Sequence, residues 1–133
     1  MADIALYPGT TNVPHEKRIA FKFFPDAGNQ PSVPAAPHHI GISSIVWVSQ
    51  GIYRITLSHA YKNHVHTSVN ANVNATGQAR FPQGGPVANV GTSTAATVDI
   101  LIVDGSGNVQ NPAAADANNF ISGEIVFCDT AAV

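Results

Sequence analysis

Apolar and polar residues alternate in short runs along most of this chain. Arg18 to Phe24 (RIAFKFF) sets Ile19, Phe21 and Phe23 on one face of a predicted strand. Gly41 to Ser58 (GISSIVWVSQGIYRITLS) divides at Gln50-Gly51 into two β-rich halves, the pattern of a hairpin. In its second half Tyr53, Ile55 and Leu57 share a face, and Arg54 and Thr56 point the other way. After a turn read in Ser58 to His64 (SHAYKNH), His64 to Asn74 (HVHTSVNANVN) alternates again. Period two places Val65, Thr67, Val69, Ala71 and Val73 on one face. His64, His66, Ser68, Asn70, Asn72 and Asn74 fall on the other.

Further along, Thr94 to Gln110 predicts a strand with Val98, Ile100 and Ile102 inward, running into an Asp-Gly turn. Ile121 to Asp129 predicts a closing strand with Ile121, Ile125 and Phe127 inward. Between them, Asn111 to Phe120 suits a short helical turn opened by Pro112. Two segments read as loops. Pro25 to His39 carries four prolines, which remove donors and disfavour helix. Thr76 to Ser93, rich in Gly and Pro, leaves room for one short strand near Arg80 and Phe81. Nowhere do apolar residues recur at helical spacing over three turns. The expected fold is all-β: a single-domain antiparallel β-sandwich or small barrel over residues 16–133, preceded by an extended N-terminal arm, residues 1–15.

Composition adds one departure. Hydrophobic content is 44%, but charged residues make up 11% of the 133, against about 25% in typical soluble domains. Such a surface suits a protein largely covered by neighbours, because interface cores are depleted in charge. The net charge is −2, and Lys17, Arg18 and Lys22 in His15 to Lys22 are the sole basic cluster. That is far sparser than a phosphate-tracking stripe, which argues against nucleic-acid binding. No apolar run approaches the roughly 18 residues that span a bilayer. The start, MADIALYPGTTN, lacks the basic and apolar regions of a secretion signal, so folding in a cytosol is expected. With one cysteine, Cys128, no internal disulfide forms.

Candidate chemistry is sparse. His64 and His66, at i and i+2 on a strand, would offer two imidazoles to one metal. A third ligand would have to come from His59, Asp99 or a symmetry mate. Two ligands do not make a site, so the pair reads as a polar face open to subunit contact, with no metal assigned. His38 and His39, being adjacent, face opposite ways in any strand. Asp104 to Asn108 (DGSGN) lacks the spaced acidic ligands of a calcium loop and reads as a turn. Cys128 has no nucleophile-elbow or Cys-His-Asn context, and the eight Asp and Glu residues form no acid–base pair. No catalytic residue and no cofactor is expected, so the chain is read as no enzyme.

Gly51 to Tyr61 (GIYRITLSHAY), Thr97 to Phe120 (TVDILIVDGSGNVQNPAAADANNF) and Ser122 to Phe127 (SGEIVF) resemble small β-rich structural proteins of tailed bacteriophages. The resemblance rests on Gly-x-Tyr-x-Ile-Thr-Leu (Gly51 to Leu57) followed by Tyr61, on the strand ending in Val103-Asp104, and on Ala-x-Asn-Asn before the last strand. It spans roughly residues 18–128 and its motifs are structural. It implies a capsid decoration (cement) protein of the virion, assembled in the host cytoplasm. Such a protein binds the major capsid protein as a homotrimer and needs no cofactor, nucleic acid or membrane. The expected capsid or subunit contacts are Ile4, Leu6 and Tyr7 of the arm, Phe21, Phe23 and Phe24, and His64 and His66. Ser58 to His66 departs from the family type and keeps a tail, baseplate or fibre component open. A carbohydrate-binding β module is a further alternative.

Overall fold

Ile19, Phe21 and Phe23 turn inward from an eleven-residue strand, β1 (Glu16–Asp26), as their spacing requires. The computed structural model describes residues 16–26, 28–34, 41–72, 79–112 and 119–130, with side chains through Cys128. Seven further strands follow: β2 (Asn29–Ser32), β3 (Ile42–Ser49), β4 (Ile52–Leu57), β5 (Tyr61–Asn72), β6 (Phe81–Ala88), β7 (Thr97–Val103) and β8 (Phe120–Thr130). They form two four-stranded antiparallel sheets, ordered β2-β1-β8-β5 and β3-β4-β7-β6, packed as a β-sandwich. The last strand does not finish an edge. It inserts between β1 and β5, so the first sheet is complete only when the C-terminal strand is in place.

The core lies between the sheets. Ile19, Phe21 and Phe23 of β1 and Ile121, Ile125 and Phe127 of β8 meet Tyr53, Ile55 and Leu57 of β4 and Val98, Ile100 and Ile102 of β7. Burying one such side chain contributes roughly 1.5–3 kcal/mol, so this layer dominates stability. Phe23 and Tyr53 bring their rings to 5.2 Å, and Tyr61 stacks on Phe127 at 4.5 Å. Gly123, at the middle of β8, has no room for a side chain. A Cβ there would run into the Ser68 carbonyl and stand 3.0 Å from the Phe21 ring.

Both flanks of the sandwich are closed. On one, the Gln30 amide of β2 takes both main-chain groups of Trp47 on β3. Its Nε2 donates to the Trp47 carbonyl (3.2 Å) and its Oε1 accepts from the Trp47 N–H (3.0 Å). A side chain thus substitutes for a neighbouring strand at an edge. On the other, Gly84 of β6 lies against Thr67 of β5, 3.3 Å from the Thr67 Cβ to the place where a Cβ would stand.

Two segments read as loops contain strands. β2 sits inside Pro25 to His39, and β6 runs for eight residues where one short strand near Phe81 was expected. Of the prolines behind the loop reading, Pro31, Pro82 and Pro86 lie on edge strands, where a missing N–H is tolerated, and Pro25 falls at the end of β1 in a break of its register with β2. Gly85 and Pro86 occupy a break in the β6–β7 register between Gly84 and Val87. The turn read in Ser58 to His64 is shorter, because β5 begins at Tyr61. The helical turn expected at Pro112 falls mainly on 113–118, outside the described residues, as does the arm, residues 1–15.

Candidate functional site

The histidine strand departs from its expected phase at one residue. On β5, His64 pairs with Phe127 and His66 with Val126, so Val65 is an extra residue in a bulge. Val65 is therefore exposed and not inward, while Thr67, Val69 and Ala71 keep the inner face. His64 moves to that inner face too. Its ring meets Phe127 edge-on at 5.4 Å and its Nε2 lies 2.8 Å from Thr67 Oγ1. Burial lowers the His64 pKa, and the neighbouring His66 lowers it further. His66 stays outward and exposed. The two imidazoles no longer share a face, which removes the two-ligand geometry that period two implied.

The proposed third ligands are elsewhere. Asp99 is bound by Arg54 on the outer face of the other sheet, and exposed His59 stands in the turn before β5. Among the described residues, no three His, Cys, Asp or Glu side chains come together as a metal site would need.

The phenylalanines divide. Phe21 and Phe23 were expected at a contact surface, but both are buried in the core, because β1 packs its odd-numbered face on β4. Phe24 points outward and is half-buried. Between it and Phe120 stands the Lys22 ammonium, 5.4 Å and 5.3 Å from the two ring centres. A shallow groove of about 390 Å³ runs beside them, lined by Ala20, Lys22, Phe24 and Pro34 among others. Ile4, Leu6 and Tyr7 lie outside the described residues.

Charge is distributed unevenly between the sheets. The strands β1, β2, β5 and β8 carry Lys17, Arg18, Lys22 and Lys62 with Glu16, Asp26, Glu124 and Asp129. The strands β3, β4, β6 and β7 carry only Arg54 and Asp99. These two face each other across β4 and β7 in a bidentate pair, Nε–Oδ1 2.8 Å and Nη2–Oδ2 3.0 Å. Asp99 raises the Arg54 pKa by hydrogen bonding and by its charge. Around this neutral pair the outer face is uncharged and mixes polar residues, Thr56, Thr97 and Gln83, with apolar ones. Ile52 pairs with Leu101 and Phe81 with Val103, all on the outward side of their strands. Val46 (38% exposed), Val48 (41%) and Phe81 (52%) stand open to solvent.

Sequence reasoning missed this face although a signal was present. Ile45-Val46-Trp47-Val48 and Ile100-Leu101-Ile102-Val103 are apolar at consecutive positions. Alternation fails there because both faces of the strand are apolar, not because the strand is buried on both.

Other polar groups are engaged in structure. Trp47 is half-buried and its Nε1 donates to Asn111 Oδ1 (3.4 Å), which also accepts the Gly51 N–H (2.8 Å). Trp47 therefore offers no open ring platform of the kind a sugar-binding module uses. In the Asp104 turn, Oδ1 accepts from the Ser106 and Asn108 N–H groups (2.9 and 3.0 Å), which lowers its pKa. Of the large apolar residues left exposed among those described, Val46, Val48 and Phe81 belong to the sheet β3-β4-β7-β6. No protein-family model, curated protein or solved structure matches this chain.

Proposed function

We propose that this chain is a virion structural protein: a decoration (cement) protein that binds the assembled head of a tailed phage as a homotrimer. The observation that carries this reading is the outer face of the second sheet. Its open Val46, Val48 and Phe81 surround one self-neutralised ion pair. Exposed apolar residues gathered on one face mark a contact site, and the one ion pair there leaves a partner no unpaired charge to bury. The resemblance of the motifs from Gly51 to Phe127 to phage structural proteins implies the partner class, the major capsid protein. Repeated over many copies and three subunits, modest contacts sum to firm attachment by avidity.

The test is reconstitution. Purified protein is added to heads that lack it, unbound protein is removed by sedimentation, and the particles are imaged by cryo-electron microscopy. Density on the shell at threefold positions is the expected result. Val46→Glu with Phe81→Glu should keep the native far-ultraviolet spectrum and lose the density. Density on the tail or baseplate would move the assignment to a tail component. Undiminished binding by the folded double variant would overturn the contact face.

A further inference from the structure

The outer face of β1 keeps one cation without a counterion. Lys22 is exposed, and among the described residues no carboxylate pairs with it. The other cation of that face, Arg18, is held by Glu16 and by Glu124 (2.6 Å). Lys22 instead sets its ammonium between two rings, 5.4 Å from the centre of Phe24 and 5.3 Å from that of Phe120. The register accounts for this. Phe23 pairs with Ile121 in the core, so Phe24 and Phe120 come next on the outward side of the two strands.

The second feature is the groove beside this ammonium. β2 stops at Ser32, opposite Phe24, and by Pro34 the chain has left the ladder. Where that hairpin opens lies the groove of about 390 Å³ lined by Ala20, Lys22, Phe24 and Pro34 among others. Ala20 is exposed, and Phe24, Pro34 and Phe120 are half-buried. The lining is apolar apart from the one charge on Lys22.

We propose that this groove receives a carboxylate set beside an apolar side chain on an extended segment of a partner protein. Charge complementarity selects the carboxylate. Cation–π attraction leaves the N–H donors of the ammonium open to an acceptor. Holding the side chain between two rings removes rotamer freedom in advance, which lowers the entropic cost of pairing. The rings also keep water from two sides, which strengthens attraction to an anion. A phosphate group calls for several donors or an arginine fork, and the groove has a single ammonium. Nor does a shallow trough enclose a small molecule, as a ligand pocket does. It suits one acidic side chain of a passing segment and that residue's apolar neighbour. The contact lies on the opposite sheet from Val46 and Phe81 and does not depend on virion membership.

Two short peptides, acetyl-Val-Glu-Val-amide and acetyl-Val-Gln-Val-amide, probe the groove when titrated into the isotope-labelled full-length protein and followed by NMR. The main-chain signals of Ala20, Lys22 and Phe24 should shift. The glutamate peptide should bind roughly fivefold tighter than the glutamine peptide. Salt at about 0.5 M should erase most of that preference. Lys22→Gln should bind the two peptides alike, and Lys22→Arg should keep the preference. Because Lys22 is exposed, neither substitution should disturb the fold, and the same spectra verify this. Equal binding of the two peptides by the parent needs no variant and would overturn the proposal. No shift at these residues up to about 10 mM peptide would do the same. A glutamate preference retained by folded Lys22→Gln would place the anion on another cation and also refute it. Butyrate binding as tightly as the glutamate peptide would give the groove to small organic acids, against the protein segment proposed.

Discussion

His64→Ala and His66→Ala should differ in effect, although the two residues are alike in type and stand on either side of Val65. The bulge at Val65 turns His64 onto Phe127 and leaves His66 in water. Removing the His64 ring forfeits an edge contact worth about 0.5–1.5 kcal/mol. It also removes a hydrogen bond to Thr67 worth about 0.5–1.5 kcal/mol. Allowing for relaxation, His64→Ala should cost about 1–2 kcal/mol at pH 7.5, or roughly 4–8 °C in Tm for a domain of this size. His66→Ala should stay within about 0.5 kcal/mol. Urea and thermal melts of the two single variants, with and without chelator, measure this directly. pH supplies a second axis. The folded His64 pKa lies below its ordinary value, so the unfolded chain takes up the proton first as pH falls through about 6.5. The stability that neutral His64 provides is present above that pH and declines below it, until the folded ring also protonates. The gap between parent and His64→Ala should therefore narrow from pH 7.5 to pH 5. Equal losses in both variants, reproduced by chelator, would show that the two rings act together on a metal and would refute the bulge geometry.

Three further substitutions probe other parts of the structure. Gly123→Ala should be strongly destabilising, about 3 kcal/mol or more by chemical denaturation, because its Cβ meets the main chain of β5 and not a movable side chain. Near-parental stability would mean that β5 and β8 are not paired in this register. Tyr53→Phe should be neutral or slightly stabilising. The Tyr53 hydroxyl is sealed in the core, has the Asp26 main chain beside it but no hydrogen bond of good geometry among the described residues, and burial raises its pKa to about 12. A loss above about 1.5 kcal/mol would reveal a partner for that hydroxyl. Asp99→Ala should cost about 1 kcal/mol, since the bidentate pair is half open to solvent on the Arg54 side. Added salt should shrink that cost, and a salt-independent loss of several kcal/mol would contradict it.

Period-two patterning was enough to determine the all-β class and most of the core. Ile19, Phe21 and Phe23, then Tyr53, Ile55 and Leu57, then Val98, Ile100 and Ile102 all face inward, as alternation alone requires. A local rule suffices there because a strand's side chains alternate whatever its neighbours are. Three things needed the tertiary structure. The phase of β5 was one, because a bulge depends on how the strand registers with β8, and no residue type in HVHTSVN marks it. The strands with prolines were another: Pro31, Pro82 and Pro86 are tolerated because β2 and β6 became edges, and Pro25 because it falls in a break of the β1–β2 register. The third was the candidate surface. Val46, Leu101 and Phe81 are far apart in sequence and look like ordinary core residues, until the order β3-β4-β7-β6 sets them on one outward face. Alternation says that a strand has two faces, but only the packing of one sheet on the other decides which of them meets water.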